Sequence, residues 1–203
     1  MAVLTVLLKE VFRKHRPRLT GSGGLNWWRA LLAALFLLSV NTAAVADSAT
    51  EYEVKAALVH NIAKFVEWPA AAGVKEVLRL CLLGADPFNA AAEGLRAKPV
   101  GAKVWEVVPA NARANLKECH VLFIAAAEVA NLPRLLVGIK GSPVLTVGDT
   151  EGYAERGVMV NLFLNQNKVR FEINNDAAGR AGLRISSQLL KLARIVAEPG
   201  AVK

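Results

Sequence analysis

The chain has 203 residues, 54% hydrophobic, 21% charged and 6% aromatic, a balance that excludes a disordered or collagen-like polymer. Its two cysteines are too few for a disulfide-rich miniprotein. A formal net charge of +8 would point to nucleic acid or a membrane surface, provided that the charge belongs to the folded domain.

Much of it lies at the start of the chain. Lys9, Arg13, Lys14, Arg16, Arg18 and Arg29 stand against the single acid Glu10, and an unbroken apolar run over residues 30–38 leads to the small triplet Ala44-Val45-Ala46. A basic start, an apolar middle and an A-x-A stop are the parts of a secretory signal peptide. Residues 1–46 are therefore expected to be a leader, cut between Ala46 and Asp47, with residues 47–203 as one exported domain. The alternative is a retained anchor, but a spanning helix needs about 20 apolar residues, and this run soon meets Asn41 and Thr42. Taking 6 basic and 1 acidic residue from the chain's 25 and 17 leaves 19 and 16, a net +3. The remaining basic residues are mixed with acids, as on a solvated surface, and a nucleic-acid partner is not expected.

In the exported part, Val54, Leu58, Ile62 and Phe65 have the spacing of an amphipathic helix over residues 51–68, stopped by Pro69. Residues 77–84 form a short apolar run closed by glycine, the pattern of a strand buried on both faces. Asp86-Pro87 reads as a helix start, with the helix reaching about residue 97. Strands are expected at 104–108, 120–125 and 143–148, with a helix at 128–137 before the last. Residues 157–164 and 168–174 alternate around Asn165-Gln166-Asn167 as a hairpin. A final helix is expected over 176–197, either continuous or interrupted near Gly182, with Leu189, Leu190, Leu192, Ala193 and Val196 as its apolar stripe. The fold class is α/β: one domain, a central mixed and mostly parallel sheet flanked by helices, with a C-terminal hairpin and helix.

Few residues point to chemistry. His60 and His120 have no metal-ligand spacing, and the nucleophile-elbow, phosphate-loop and dinucleotide motifs are missing from the sequence. No enzyme activity, cofactor or metal is expected. If the strands are parallel, Asp86, Glu128, Asp149 and Thr150 fall just beyond their carboxyl ends, where open α/β sheets bind ligands. They serve either as caps and turn residues or as a ligand edge. Trp68, beside Pro69, is either packed on the sheet or exposed as a partner contact. Cys81 and Cys119 are two buried thiols or, in an oxidising compartment, a bridge closing a loop of about 38 residues.

Several stretches together resemble the YfiR family. They are Glu51-Tyr52-Glu53-Val54-Lys55-Ala56-Ala57, His60-Asn61-Ile62-Ala63-Lys64-Phe65-Val66-Glu67-Trp68-Pro69, Leu80-Cys81-Leu82-Leu83-Gly84 with Asp86-Pro87-Phe88, and Cys119-His120-Val121-Leu122-Phe123-Ile124. Further on come Leu145-Thr146-Val147-Gly148-Asp149-Thr150-Glu151-Gly152-Tyr153, Phe171-Glu172-Ile173-Asn174, and the tail from Ala181-Gly182-Leu183-Arg184 to Leu190-Lys191-Leu192-Ala193. The resemblance implies a periplasmic protein, often a homodimer, that represses an inner-membrane diguanylate cyclase by binding its periplasmic part. It also implies an outer-membrane-associated lipoprotein that sequesters the repressor, with consequences for cyclic-di-GMP and biofilm formation. Cys81 and Cys119 match a disulfide pair of that family. A second pair found in the family's better-known member has no counterpart here, so a redox switch built on it is not expected. The alternative to a regulator is a periplasmic small-molecule binding module using the strand edge.

Overall fold

A computed structural model describes residues 43–84, 88–96 and 98–199. The first helix, α1, is Ala43–Ala63. The expected leader lies almost wholly outside the described residues, and the Ala46-Asp47 junction falls near the beginning of α1. The helix ends five residues before the expected stop. Lys64 and Phe65 close it with backbone bonds to Asn61 and Ile62, and the chain then enters the short strand β1, Val66–Glu67. Its buried face also differs from the expected stripe. Ala56, Val59, Ile62 and Ala63 are buried together with Lys55 and His60, whereas Val54 and Phe65 are exposed. The apolar pattern misplaces the face because two inward side chains are polar and find partners far along the chain.

The main sheet contains β2 (Val77–Leu83), β3 (Val104–Ala110), β4 (Val121–Ile124), β5 (Leu145–Gly148), β6 (Val160–Asn165), β7 (Lys168–Ile173) and β9 (Arg194–Ile195). Its order is β3-β2-β4-β5-β6-β7-β9. Neighbours pair in parallel everywhere except at the β6–β7 hairpin. Every residue of β4 and β5 is buried, as expected for central strands that carry apolar side chains on both faces. One face packs on α1 and on α2 (Asn89–Arg96), through Val59, Ile62, Ala92, Leu95 and Phe123. The other face packs on α3 (Leu132–Gly138), through Leu83, Leu122, Ile124, Leu132 and Leu135. Fully burying a leucine or isoleucine side chain contributes about 1.5–3 kcal/mol, so these two faces hold the layers together.

The hairpin forms as expected, with a tighter turn. Asn165 pairs with Lys168, leaving only Gln166 and Asn167 in the loop, and both are left-handed, with φ of 51° and 58°. Such two-residue turns favour Asn-Gly, because other side chains are strained at positive φ. Gln166→Asn combined with Asn167→Gly should raise stability by about 1 kcal/mol, read from a higher urea midpoint. An unchanged or lower midpoint would show that the turn is not strained.

The expected helix over 176–197 does not form as one piece. The chain makes α4 (Asn175–Arg180), β8 (Arg184–Ile185), α5 (Ser187–Leu190) and then β9. Gly182, at φ 74°, stops α4, and Leu183 turns back to bond the Ala178 carbonyl. β8 pairs antiparallel with β1, and the Ser186 hydroxyl caps α5 by accepting from the Gln188 N–H. Of the expected stripe, Leu189 is buried but Leu192 is 76% exposed.

Candidate functional site

Leu83, Ile124 and Gly148 lie in register at the carboxyl ends of β2, β4 and β5. The residues that follow therefore share one edge of the sheet. Asp86 is outside the described residues. Glu128 is half-buried and accepts a bond from the Asn131 side-chain amide at 2.9 Å. Asp149 plays a larger part. Its side chain is 3% exposed, and Oδ2 accepts from Lys55 Nζ at 2.9 Å and from the Tyr52 hydroxyl at 3.0 Å. Lys55, itself 4% exposed, also pairs with Glu51 at 2.6 Å and lies 4.5 Å from the centre of the Tyr52 ring. Burial first, and then the Asp149 carboxylate, push the Tyr52 hydroxyl well above the usual tyrosine value.

This network ties α1 to the sheet edge across more than 90 residues of chain. Asp149 Oδ1 and Thr150 Oγ1 are buried and have no hydrogen-bond partner among the described residues. Tyr52 and Lys55 were not expected as members of the edge. The available signal was a lysine beside Ala56-Ala57 on an otherwise small, apolar face, with Glu51 one turn earlier.

A second buried carboxylate sits on the opposite side of the hairpin's inner strand. Glu172 accepts from the Asn161 side-chain amide at 2.9 Å and from Arg194 Nε at 2.9 Å. The Arg194 guanidinium in turn lies over the Phe163 ring, 4.9 Å from its centre. In each network the buried carboxylate pairs with a basic side chain. Among the described residues, no group of three or more His, Cys, Asp and Glu side chains could hold a metal ion.

Cys81 and Cys119 form a disulfide, with Cα atoms 5.9 Å apart, inside the core beneath α3. Trp68 is half-buried against the opposite core, and its indole N–H donates to the His120 carbonyl at 3.2 Å. It packs against that core, and the residue remains partly exposed.

Both histidines act as acceptors through Nδ1. His60 receives the Trp105 indole N–H at 3.0 Å, and His120 receives the Arg79 backbone N–H at 2.9 Å. Burial, aided at His60 by Lys64 and Lys98, holds both imidazoles below the usual histidine value. The unfolded chain thus takes up protons that the folded chain resists, so stability is full above about pH 6.5 and falls as pH drops below it. Urea midpoints should decline on acidification across that value, and the decline should be smaller in His60→Gln. An equal decline in the variant would remove His60 from the account.

The structure thus defines an α/β domain whose buried polar residues are spent on internal networks, with a disulfide joining the first sheet strand to the start of β4. The family model described as YfiR/HmsC-like matches residues 52–194, and the chain belongs to that family. Among solved structures, a conserved domain protein from Vibrio cholerae O1 biovar El Tor str. N16961 is similar at 13% identity and a TM-score of 0.51. The match covers 72% of this chain and 60% of that one, and it bears on the fold alone. An ABC domain from Streptococcus pneumoniae in complex with L-Trp is matched at 12% identity over 60% of this chain and 55% of that one, with a TM-score of 0.45. The chain spans less than two thirds of either structure. No helix among the described residues is long and apolar enough to cross a membrane.

Proposed function

We propose that residues 47–203 form an exported, periplasmic, non-enzymatic regulator that binds the periplasmic part of an inner-membrane signalling protein, a diguanylate cyclase, and holds it inactive. The observation that carries this reading is the family match, which runs through nearly all of the described domain. An outer-membrane-associated lipoprotein would relieve the repression by sequestering the regulator, which lowers its free concentration by mass action. A homodimer is the expected working form.

A protein partner needs exposed apolar anchors. Leu164, Leu192 and Ile195 are 52%, 76% and 55% exposed around the hairpin and the terminal strand β9, which closes one end of the sheet. Leu192→Asp with Ile195→Asp should leave folding intact, abolish recovery of a cyclase in pull-downs from membranes, and raise cellular cyclic-di-GMP. Recovery of no signalling protein by the wild-type domain, together with unchanged cyclic-di-GMP on its deletion, would defeat the reading.

A second reading, a small-molecule binding module, is favoured by one observation: Asp149 Oδ1 and Thr150 Oγ1 at the strand edge are buried with no hydrogen-bond partner among the described residues. A ligand at 100 times its Kd would add about 2.7 kcal/mol to stability, so a thermal-shift screen separates the two.

A further inference from the structure

A cleft of about 530 Å³ opens between α3, the loop after β5, and α4. Its floor is apolar and closed: Val144 and Met159 are 1% and 6% exposed, and Ile139 is 6% exposed. Its rim is basic, with Lys140, Arg156 and Arg180. Lys140 has no ion-pair partner among the described residues, and Arg156 is held by the Val129 carbonyl.

One carboxylate already sits in this basic rim. Glu198, from the tail after β9, pairs with Arg180 and accepts a bond from Asn174 Nδ2 at 3.3 Å. Asn174 is fully buried and is fixed by two further bonds, from its amide to the Ala154 carbonyl and from Ala177 N–H to its Oδ1. Its amide is therefore a preset donor behind Glu198, which lines the cleft. Gly157, at φ 102°, borders the carboxylate: a Cβ there would lie in ordinary van der Waals contact with Glu198 Oε1, at 3.6 Å. The volume lies within the range of small-molecule sites, about 300–1,000 Å³.

We infer that this cleft binds a small organic carboxylate with a compact apolar body, and that Glu198 occupies the carboxylate position when the ligand is absent. The ligand's carboxylate takes over Arg180 and the Asn174 amide, gains Lys140, and places its apolar body on Val144, Ile139 and Met159. Glu198 then swings out with the tail. A phosphate-sized ion alone would leave the apolar floor uncovered, and a neutral apolar molecule would leave Glu198 in place. The inference stands independently of any cyclase partner.

The test uses 4-phenylbutyrate as probe and its amide, 4-phenylbutanamide, as control, with the purified protein and isothermal titration calorimetry. Glu198→Ala removes the internal competitor and should bind the acid at least about tenfold more tightly than wild type does, a change of about 1.4 kcal/mol. Arg180→Ala in that background should weaken binding at least tenfold by the same scale, and Ala181→Trp, which fills the cleft, should abolish it. Circular dichroism confirms that each variant is folded. The inference is overturned if folded Glu198→Ala binds the acid no better than wild type, if the amide binds as tightly as the acid, or if Ala181→Trp binds normally.

Discussion

Replacing Cys81 and Cys119 together by alanine is expected to lower the unfolding free energy by about 4 kcal/mol, the chain-entropy value for a loop of this length. The two cysteines are 38 residues apart and each is 3% exposed. Alanine is the informative replacement, since serine would also bury two hydroxyls in an apolar cluster and add a desolvation loss of its own. In the native state β2 and β4 remain paired through Leu80–Val121 and the three following pairs, so the fold should persist without the bridge. The loss is therefore mainly one of restraint on the unfolded chain. Set against a total stability of about 5–15 kcal/mol, it would leave the domain marginal. A urea series in which the alanine pair and the oxidised wild type differ by less than about 1 kcal/mol would show that the bridge is incidental, well below the range expected for such a loop.

Breaking the Lys55–Asp149 pair from one side is expected to have an effect of similar size. Lys55→Met strands a carboxylate, and Asp149→Leu strands an ammonium, in a place where neither is more than 4% exposed. Removing one partner of such a pair is destabilising by about 3–5 kcal/mol, whereas replacing both by apolar groups of similar volume can be neutral. The double variant should thus recover most of the loss seen in either single one. Glu51 tempers the expectation for Asp149→Leu, because it can still partner Lys55 at 2.6 Å. Lys55→Met should be the worse of the two. Additive losses in the double variant would mean that the two groups do not stabilise each other.

The central strands were legible in the sequence because β2, β4 and β5 are short, mainly apolar runs on both faces, and those of β2 and β5 are closed by glycine. The hairpin was legible from its alternation around a polar turn. What escaped was set by partners distant in the chain. Lys55 faces inward only because Asp149 is there to meet it, and no local pattern on α1 carries that information. The terminal segment misled for the opposite reason. The interruption at Gly182 is legible in the sequence, but Leu189, Leu190 and Leu192 are spaced for a helix, and pairing of Arg184–Ile185 with β1 and of Arg194–Ile195 with β7 outweighs helical propensity there. At the strand edge, Asp149 and Thr150 were placed correctly beyond β5. Asp149's bonds to α1 could not be foreseen, because they depend on how the helix crosses the sheet.

Trp68 and Trp105 are the only tryptophans in residues 47–203, and each indole N–H is committed to a partner beside a feature of interest. Trp68 donates to the carbonyl of His120, the residue after Cys119, and Trp105 donates to His60 on α1. The domain therefore carries two native optical reporters. Emission from a Trp105→Phe protein would follow the surroundings of the disulfide, and emission from a Trp68→Phe protein would follow the seating of the first helix, without any attached dye.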